Sequence, residues 1–386
     1  MGRFHFKCFL GLGVLAAAVL FFGNRGEAKT LSEEEKLMQE VESILADMTL
    51  EEKVYQLFII TPEALTGSKT VTAAGETTRK SLGKYPVGGL IYFAQNLRNP
   101  AQTTKMLQGV MEFSYEVEGL PLFICIDEEG GRVARIGSNA AFGVDKIGCM
   151  RDVKDVDEAY AAGETIGAYL SKLGFNLDFA PDADVLTNKN NAVIGDRSFG
   201  EDPDRVTELA AAVSDGLHSQ NVLSTFKHFP GHGATLADTH EGFAYTDKTY
   251  EELLKSELKP FMAAEEKGVD VVMAAHISVP KVTGDDTPCT LSKKMITDVL
   301  RNDLGYEGII VTDALNMGAI TRKYDSAQAS VMALDAGVDM LLMPQDFKQA
   351  AQGILKAVKE GEISEERINE SLRRIIKAKL SNHKRR

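Results

Sequence analysis

The stretch Ile309-Ile310-Val311-Thr312-Asp313-Ala314-Leu315 is a short apolar run that is followed by one carboxylate. It shows no regular alternation of polar and apolar residues, which is typical of a parallel strand that is buried on both faces. Similar runs recur along the chain. They predict eight strands, at residues 57–61, 89–93, 122–127, 176–181, 224–229, 271–275, 309–313 and 340–343.

Segments with helical periodicity lie between these strands. Helices are predicted at residues 157–173, 204–219, 249–267, 293–303, 327–336 and 347–359, with a closing amphipathic helix at 364–380. Strands that alternate with helices indicate an α/β protein. Both a (β/α)8 barrel of the TIM type and an open doubly wound sheet have this alternation.

The positions of the polar residues favour the barrel. Six candidates lie at or just after the C-terminal ends of different predicted strands: Asp127, Asp182, Lys227, His228, His276 and Asp313. Barrel enzymes collect their catalytic groups at this end of the strands. We therefore predict a single-domain barrel over residues 46–383, preceded by a lead-in segment at 29–45.

The composition and the N-terminal segment limit the function and location. The chain has 386 residues and a formal net charge of −13, which argues against nucleic acid as a partner. Arg3 and Lys7 precede an apolar run at residues 9–22. Residues 1–28 are therefore predicted to be a signal peptide or an uncleaved anchor. We expect a protein that is exported to the cell envelope or the extracellular space, where it could associate with the cell wall or the membrane surface.

The cysteines do not predict a structural site. Cys125, Cys149 and Cys289, which follow the apolar run, are odd in number and widely spaced. Neither a disulfide framework nor a zinc cluster is indicated.

One segment is unusually rich in histidine. Lys227-His228-Phe229-Pro230-Gly231-His232-Gly233-Ala234-Thr235-Leu236-Ala237-Asp238-Thr239-His240 contains three of the seven histidines. One interpretation is a metal site built on His228, His232, Asp238 and His240. Pro230 and the two glycines oppose the helix that would bring histidines four residues apart onto one face. The spacing favours an acid/base pair instead, in which Asp238 orients His240 and stabilises its charged form.

Other strand-end residues are candidate ligand contacts. The glycine pair after Asp127-Glu128-Glu129 lets the backbone turn, so that Asp127 and Arg135 can face a ligand. The guanidinium of Arg197 can donate to hydroxyl or carbonyl oxygens. Asp313 is either a helix N-cap or a nucleophile.

Two residues form a second tier of candidates. His276 and Asp182 also follow predicted strands. Packing with satisfied hydrogen bonds explains His276 as well as ligand contact does, and turn capping could explain Asp182.

Six ordered motifs together resemble glycoside hydrolase family 3, and specifically its bacterial β-N-acetylhexosaminidase branch. They are Asp-x-Glu-Gly-Gly-Arg at 127–132, Asn-x-Asp-x-Ala-Pro at 176–181, Arg-Ser-Phe at 197–199, Lys-His-Phe-Pro-Gly-His-Gly at 227–233, Asp-Thr-His at 238–240 and Thr-Asp-Ala-Leu at 312–315. The opening Met-Thr-Leu-Glu-Glu-Lys-Val at 48–54 is also similar to the first helix of that family. The resemblance runs from about residue 46 to the end of the chain.

The resemblance implies a role for each matching residue. Asp313 occupies the position of the nucleophile that forms a covalent glycosyl-enzyme, and His240 that of the general acid/base, with Asp238 as its partner. The positions that bind the non-reducing-end sugar are matched by Asp127, Arg135, Arg197, Lys227 and His228. A retaining glycosidase needs such a nucleophile and such a proton-transferring group.

The resemblance also implies a substrate class. We expect a retaining exo-β-N-acetylglucosaminidase that acts on cell-wall muropeptides or chitooligosaccharides and needs no metal or organic cofactor. The alternatives are a β-glucosidase, β-xylosidase or glycoside phosphorylase of the same family, a metallohydrolase, and a wall-sugar-binding protein without activity. The chain contains no Trp, so Tyr92, Phe93 or Phe199 would supply apolar contact to a sugar.

Overall fold

A computed structural model describes residues 31–235 and 244–385 of the chain. The predicted signal segment at 1–28 lies outside the described residues, and so do Asp238 and His240. Within the described part of the chain, no helix is both long enough and apolar enough to cross a membrane.

In the residues that the structure describes, ten strands form parallel pairs. In chain order they are β1 (Phe58–Ile60), β2 (Gly89–Ile91), β3 (Phe123–Ile126), β4 (Leu177–Asp178), β5 (Thr225–Phe229), β6 (Ala244–Tyr245), β7 (Val271–Ala274), β8 (Ile277–Ser278), β9 (Ile309–Thr312) and β10 (Leu341–Leu342). Each of the eight predicted runs contains one strand. The short strands β6 and β8 were not predicted.

The strands make an α/β fold that is built on parallel sheets. One sheet has the order β10-β1-β2-β3-β4, a second has the order β5-β7-β9, and β6 pairs with β8. Parallel bridges between Leu177 and Leu223 and between Asp182 and Lys227 connect β4 to the β5 region. A bridge between Val311 and Met340 connects β9 to the start of β10. The two larger sheets are thus joined at both of their edges.

Helices connect the strands. They are α1 (Glu33–Asp47), α2 (Leu50–Gln56), α3 (Pro62–Thr66), α4 (Glu76–Lys84), α5 (Pro100–Glu118), α6 (Val156–Leu173), α7 (Pro203–Ser219), α8 (Tyr250–Leu254), α9 (Lys259–Ala263), α10 (Pro280–Thr283), α11 (Gly318–Thr321), α12 (Ser326–Ala336), α13 (Phe347–Glu360) and α14 (Glu365–Arg385). A π-helix spans Lys294–Asp303, where the sequence predicts an ordinary helix.

The single helix predicted at 249–267 is wrong. The chain forms α8 and α9 there, separated by a turn in which the Leu258 N–H donates to the Leu253 carbonyl at 2.9 Å. Pro260 lies in the first turn of α9, where its missing N–H breaks no helical hydrogen bond. In the interior of a continuous helix the same proline would remove one.

The predicted closing helix is confirmed as α14. Its apolar stripe is buried as expected at Ile368, Leu372, Ile375, Ile376 and Leu380. The exposed side of α14 is tied to α1 by two ion pairs, between Arg373 and Glu42 at 2.6 Å and between Lys377 and Glu34 at 3.0 Å. The segment just before residue 46 therefore packs on the C-terminal end of the chain as a helix.

Glycines allow α6 and α7 to approach each other closely. A Cβ atom added to Gly163 of α6 would lie 2.1 Å from the carbonyl oxygen of Val213, and one added to Gly216 of α7 would lie 2.3 Å from that of Tyr160. Both neighbours are backbone atoms, which cannot move aside without displacing a helix. Close packing of these two helices therefore requires glycine at both positions.

We predict that Gly163→Ala destabilises the protein by about 2 kcal/mol, because overpacking forces the two helices apart. The matched control is Gly83→Ala in α4, where an added Cβ meets nothing within 4 Å. Alanine should be neutral there, or stabilising by up to ~1 kcal/mol, because it is the better helix former. Thermal unfolding of both variants measures the difference. Equal midpoints would contradict the packing explanation.

Candidate active site

The predicted site residues converge at the C-terminal ends of neighbouring strands. Asp127 follows β3, Asp182 follows β4, Lys227 and His228 lie in β5, His276 lies between β7 and β8, and Asp313 follows β9. Because the strands are parallel, these ends lie on one side of the sheets. The structure therefore brings together the polar residues that the sequence places at separate strand ends.

A buried lysine connects β5 to the turn after β3. Lys227 is 2% exposed, and its ammonium lies 3.1 Å from an Asp127 oxygen and 2.5 Å from a Glu129 oxygen. Burial lowers the pKa of Lys227, but the two carboxylates outweigh that effect and leave the pKa above its ordinary value. Lys227 is therefore a fixed cation at the strand ends.

Glu129 binds a second cation. Arg197 donates to both of its carboxylate oxygens, at 2.7 and 2.8 Å, in a bidentate pair. Burial raises the pKa of Glu129, yet Lys227 and Arg197 together hold it at about 2. Sequence reasoning selected Asp127 from this acidic triplet and missed Glu129, although Glu129 is the residue that joins the two predicted sugar-binding cations.

Glu128 shapes the turn that carries Arg135. Its buried carboxylate accepts the backbone N–H groups of Arg135, Ile136 and Gly137 at 2.5, 2.9 and 2.7 Å, and the Tyr169 hydroxyl at 2.9 Å. The Arg135 guanidinium then lies 3.5 Å from Asp127. Glu128 was also missed, because its contacts depend on the folded turn.

His228 is oriented by a carboxylate from the segment after β4. Its Nδ1 lies 2.7 Å from an oxygen of Asp184, and its Nε2 lies 3.4 Å from an Arg197 nitrogen. Asp184 is fully buried and its other oxygen accepts the backbone N–H of His232 at 2.5 Å. It is a third residue that the sequence reasoning did not identify.

Asp182 pairs with Arg197. Its carboxylate is fully buried and lies 3.3 Å from the guanidinium. Burial and the neighbouring Asp184 raise the pKa of Asp182 to about 7, against the opposing effect of Arg197. The structure therefore buries this second-tier candidate against Arg197.

Within the described ranges, one group of side chains has metal-ligand spacing. Ligand atoms of Asp182, Asp184 and His228 lie within 4.8 Å of one another. Asp182 already pairs with Arg197, and Asp184 already accepts hydrogen bonds from the His228 ring and from the His232 N–H. His232, from the alternative histidine site, packs its ring 5.8 Å from that of His228 and pairs its Nδ1 with Thr235 at 2.9 Å.

Asp313 is a partly exposed carboxylate near Lys227 and two histidines. Its backbone N–H donates to the Ala274 carbonyl at 2.7 Å, which fixes it beside β7, and its side chain accepts the Ala314 N–H at 2.7 Å. Burial raises the pKa of Asp313, but His276, His228 and Lys227 hold it below its ordinary value. Among the residues that the structure describes, Asp313 forms no ion pair.

His276 is buried beside this carboxylate. Its Nδ1 lies 2.9 Å from the Thr290 hydroxyl and its Nε2 lies 3.0 Å from the Ala314 carbonyl oxygen. Both ring nitrogens therefore have partners from the protein itself.

The described residues on both sides of 236–243, the range that contains Asp238 and His240, are bonded to the rest of the protein. On one side, Asn188 and Asn191 donate to the carbonyls of Thr235 and His232 at 2.8 and 2.7 Å. On the other side, β6 pairs with β8.

The three aromatic residues proposed for sugar contact differ in their exposure. Tyr92 and Phe199 are each 1% exposed, whereas Phe93 is partly exposed and lies under the Arg135 guanidinium, 6.0 Å from ring centroid to guanidinium carbon. Of the three aromatics proposed for sugar contact, Phe93 is the one that the fold leaves accessible.

Residues 49–378 match the family model for the Glycosyl hydrolase family 3 N terminal domain. The chain belongs to glycosyl hydrolase family 3. This result confirms the resemblance drawn from the six motifs.

Relatives in family 3 support the same branch. The chain is 35% identical over 324 residues to beta-hexosaminidase A of Pseudoalteromonas piscicida, a match that covers 77% of this chain and 54% of that protein. It is 36% identical over 285 residues to the beta-hexosaminidase of Nitrosomonas eutropha, covering 71% of this chain and 78% of that one.

A solved family 3 structure gives the same result. The β-N-acetylglucosaminidase of Paenibacillus sp. str. FPU-7 superposes with a TM-score of 0.81 and 37% identity, covering 87% of this chain and 63% of that one. The chain thus spans a little over half of the Pseudoalteromonas relative and under two thirds of the Paenibacillus one.

We predict that Glu129→Gln destabilises the protein at neutral pH, because Lys227 and Arg197 would then share a buried site without their common anion. The pKa of Glu129 is about 2 in the fold, below its ordinary 4.5. Its charge therefore stabilises the fold fully above about pH 4.5, and this contribution is lost as the pH falls toward 2.

The gap between the unfolding midpoints of wild type and Glu129→Gln should accordingly be widest above pH 5 and narrow steadily on acidification. Thermal unfolding between pH 3 and pH 7 measures it, with Glu164→Gln on the exposed side of α6 as control. A gap that stays constant with pH would show that the variant acts through packing instead of charge.

Proposed function

We propose that this protein is a retaining exo-β-N-acetylglucosaminidase with Asp313 as its nucleophile. One observation carries the proposal. Asp127, Glu129, Asp182 and Asp184 each pair with a cation or a histidine at the strand ends, whereas Asp313 has no such partner among the described residues. A carboxylate that is kept ionised but unpaired is available to attack an electrophilic carbon.

In this proposal the strands close into a (β/α)8 barrel. The bridges from Leu177 to Leu223 and from Val311 to Met340 support closure, since they join the outer strands of the two larger sheets. Closure would place all of the polar strand ends around one mouth, as in other barrel enzymes.

The paired charges would bind the sugar. Lys227, Arg197 and His228 can donate to ring hydroxyls, and the Asp127 carboxylate can accept from them. The ion pairs within the network keep these groups fixed before a ligand arrives. Little side-chain entropy would then be lost on binding.

The reaction would proceed in two displacements. In the first, Asp313 attacks the anomeric carbon while His240 protonates the departing glycosidic oxygen, which gives a covalent glycosyl-enzyme. In the second, His240 removes a proton from water, the water oxygen attacks the same carbon, and the bond to Asp313 breaks with its electron pair returning to the carboxylate. Asp238 would stabilise the imidazolium form of His240 between the two steps.

The relatives support N-acetylglucosamine as the sugar. The Paenibacillus structure is described as a β-N-acetylglucosaminidase, and both sequence relatives are named beta-hexosaminidases. Together with the predicted signal segment, they favour terminal β-linked N-acetylglucosamine on muropeptides or chitooligosaccharides, met outside the cytoplasm.

We predict that p-nitrophenyl β-N-acetylglucosaminide is hydrolysed in preference to the glucoside, with retention of anomeric configuration, and that Asp313→Ala lowers kcat at least ~10³-fold. The variant loses the group that forms the intermediate, so added azide should restore release of p-nitrophenol and yield the α-glycosyl azide. Kinetics and NMR of the first-formed product measure these outcomes.

Asp335→Asn serves as the matched control, because Asp335 is an exposed carboxylate on α12. It should keep wild-type rates. Preference for the glucoside would overturn the substrate, and full activity of Asp313→Ala would overturn the mechanism.

We predict that the loss caused by His240→Ala depends on the leaving group. Phenyl β-N-acetylglucosaminide needs protonation of its departing oxygen, whereas the p-nitrophenyl compound departs readily as an anion. The kcat/KM of the variant should therefore fall much further on the phenyl substrate, and Asp238→Asn should show the same trend to a smaller extent. Equal losses on both substrates would argue against proton transfer by His240.

A further inference from the structure

The surroundings of His276 restrict the protons that its ring can carry. The ring is 5% exposed and is held between the end of β9 and the segment of Thr290. On one side, Nε2 lies 3.0 Å from the Ala314 carbonyl oxygen. A carbonyl oxygen can only accept a hydrogen bond, so Nε2 must carry a proton for this contact to be favourable.

The other nitrogen is restricted through Thr290. The Thr290 hydroxyl lies 2.9 Å from Nδ1, 2.6 Å from the Ala275 carbonyl oxygen and 3.2 Å from the Ala274 carbonyl oxygen. Its single proton is best used in the short contact with Ala275, because two oxygens at that distance without a hydrogen between them repel each other. The hydroxyl oxygen is then an acceptor toward Nδ1, which must carry a proton as well.

Neither neutral form of the ring satisfies both sides. With a proton on Nε2 alone, Thr290 would have to donate to Nδ1 and leave the 2.6 Å oxygen-oxygen contact without a hydrogen. With a proton on Nδ1 alone, two lone pairs would face each other between Nε2 and the Ala314 oxygen. The doubly protonated ring satisfies both of its own contacts and leaves the Thr290 proton for the short contact with Ala275.

We propose that His276 carries a proton on both ring nitrogens in the folded protein and holds Asp313 ionised, and is thus a positioning residue for the nucleophile. The connection to Asp313 is short, because Ala314 follows it directly and the Asp313 N–H is bonded to Ala274, two residues before His276. Its importance for catalysis rests on the proposed role of Asp313.

The charges around the pair act in opposite directions. Burial lowers the pKa of His276 and outweighs the Asp313 carboxylate and the Ala314 carbonyl, which leaves the pKa below its ordinary value. The assignment of the charged ring rests on the hydrogen-bond pattern instead, because the Thr290 and Ala314 oxygens both accept from the ring. Asp313 in turn is acted on by His276, and by His228 and Lys227 from β5, while its own charge acts on His232. Among these groups, His276 contributes the largest lowering of the pKa of Asp313.

The charge would act differently in the two displacements. Asp313 loses its negative charge when it bonds to the sugar and regains it when water releases the sugar. A fixed cation behind the carboxylate therefore favours the second displacement and prevents the glycosyl-enzyme from accumulating.

The first test reads the charge of the ring directly. Nitrogen-15 NMR of histidine-labelled enzyme at pH 7 distinguishes protonated from unprotonated ring nitrogens, and seven histidines give a tractable spectrum. The His276 signals are assigned by their absence in His276→Gln, or by their displacement in Thr290→Val if that variant does not fold. We expect both nitrogens to carry a proton. One unprotonated nitrogen would overturn the proposal.

The second test reads the effect on the nucleophile. Thr290→Val removes the acceptor at Nδ1 and should move the acidic limb of the kcat/KM profile upward by about one pH unit, a tenfold change in ionisation. Thr290→Ser keeps the hydroxyl and should retain the wild-type limb. A limb that does not move in Thr290→Val or His276→Gln would overturn the electrostatic role.

The two tests separate this proposal from the proposed function. The NMR result does not depend on which glycoside is the substrate. If Asp313→Ala keeps full activity, the mechanism fails whatever the charge of His276. If Asp313→Ala is inactive but His276 is neutral, the nucleophile stands and the imidazolium proposal fails.

Discussion

The site depends on the burial of one charge, the ammonium of Lys227. A buried ammonium without partners costs several kcal/mol, so the fold must bring carboxylates to it. Asp127 and Glu129 meet that requirement from the turn after β3, 100 and 98 positions away along the chain. Glu129 in turn fixes Arg197 from the segment after β4. Alternating negative and positive side chains thus connect the ends of β3 and β5 and the segment after β4.

Each carboxylate at the site has specific partners. Keeping the same number of charges without those partners would therefore not preserve the geometry of the site. Glu129 accepts from both Lys227 and Arg197, and its low pKa follows from having both partners. Asp184 also has two partners. One of its oxygens orients the His228 ring through Nδ1, and the other accepts the backbone N–H of His232. The groups that orient the proposed sugar contacts are therefore carboxylates that need not touch a sugar themselves.

The strands and most of the helices could be predicted from the sequence. An apolar run of four or five residues indicates a buried strand, and helical periodicity indicates the helices between the strands. The exception at 249–267 has a local cause, since Pro260 is visible in the sequence and marks the start of a second helix. The partners of the site residues could not be predicted in this way. Glu129 and Arg197 are 68 positions apart. Nothing local distinguishes Glu129 from the adjacent Glu128, whose carboxylate accepts from the turn and from Tyr169.

A row of fixed cations creates a difficulty for a nucleophile, because a carboxylate that pairs with one of them would be ionised but occupied. The structure separates the two effects. Lys227 and His228 already have Asp127, Glu129 and Asp184 as partners, so they act on Asp313 through space without binding it. The additional carboxylates at the strand ends, Asp127, Glu129 and Asp184, thus have a defined role. They occupy the nearby donors at close range, so that Asp313, whose pKa is lowered, is left without an ion pair among the described residues.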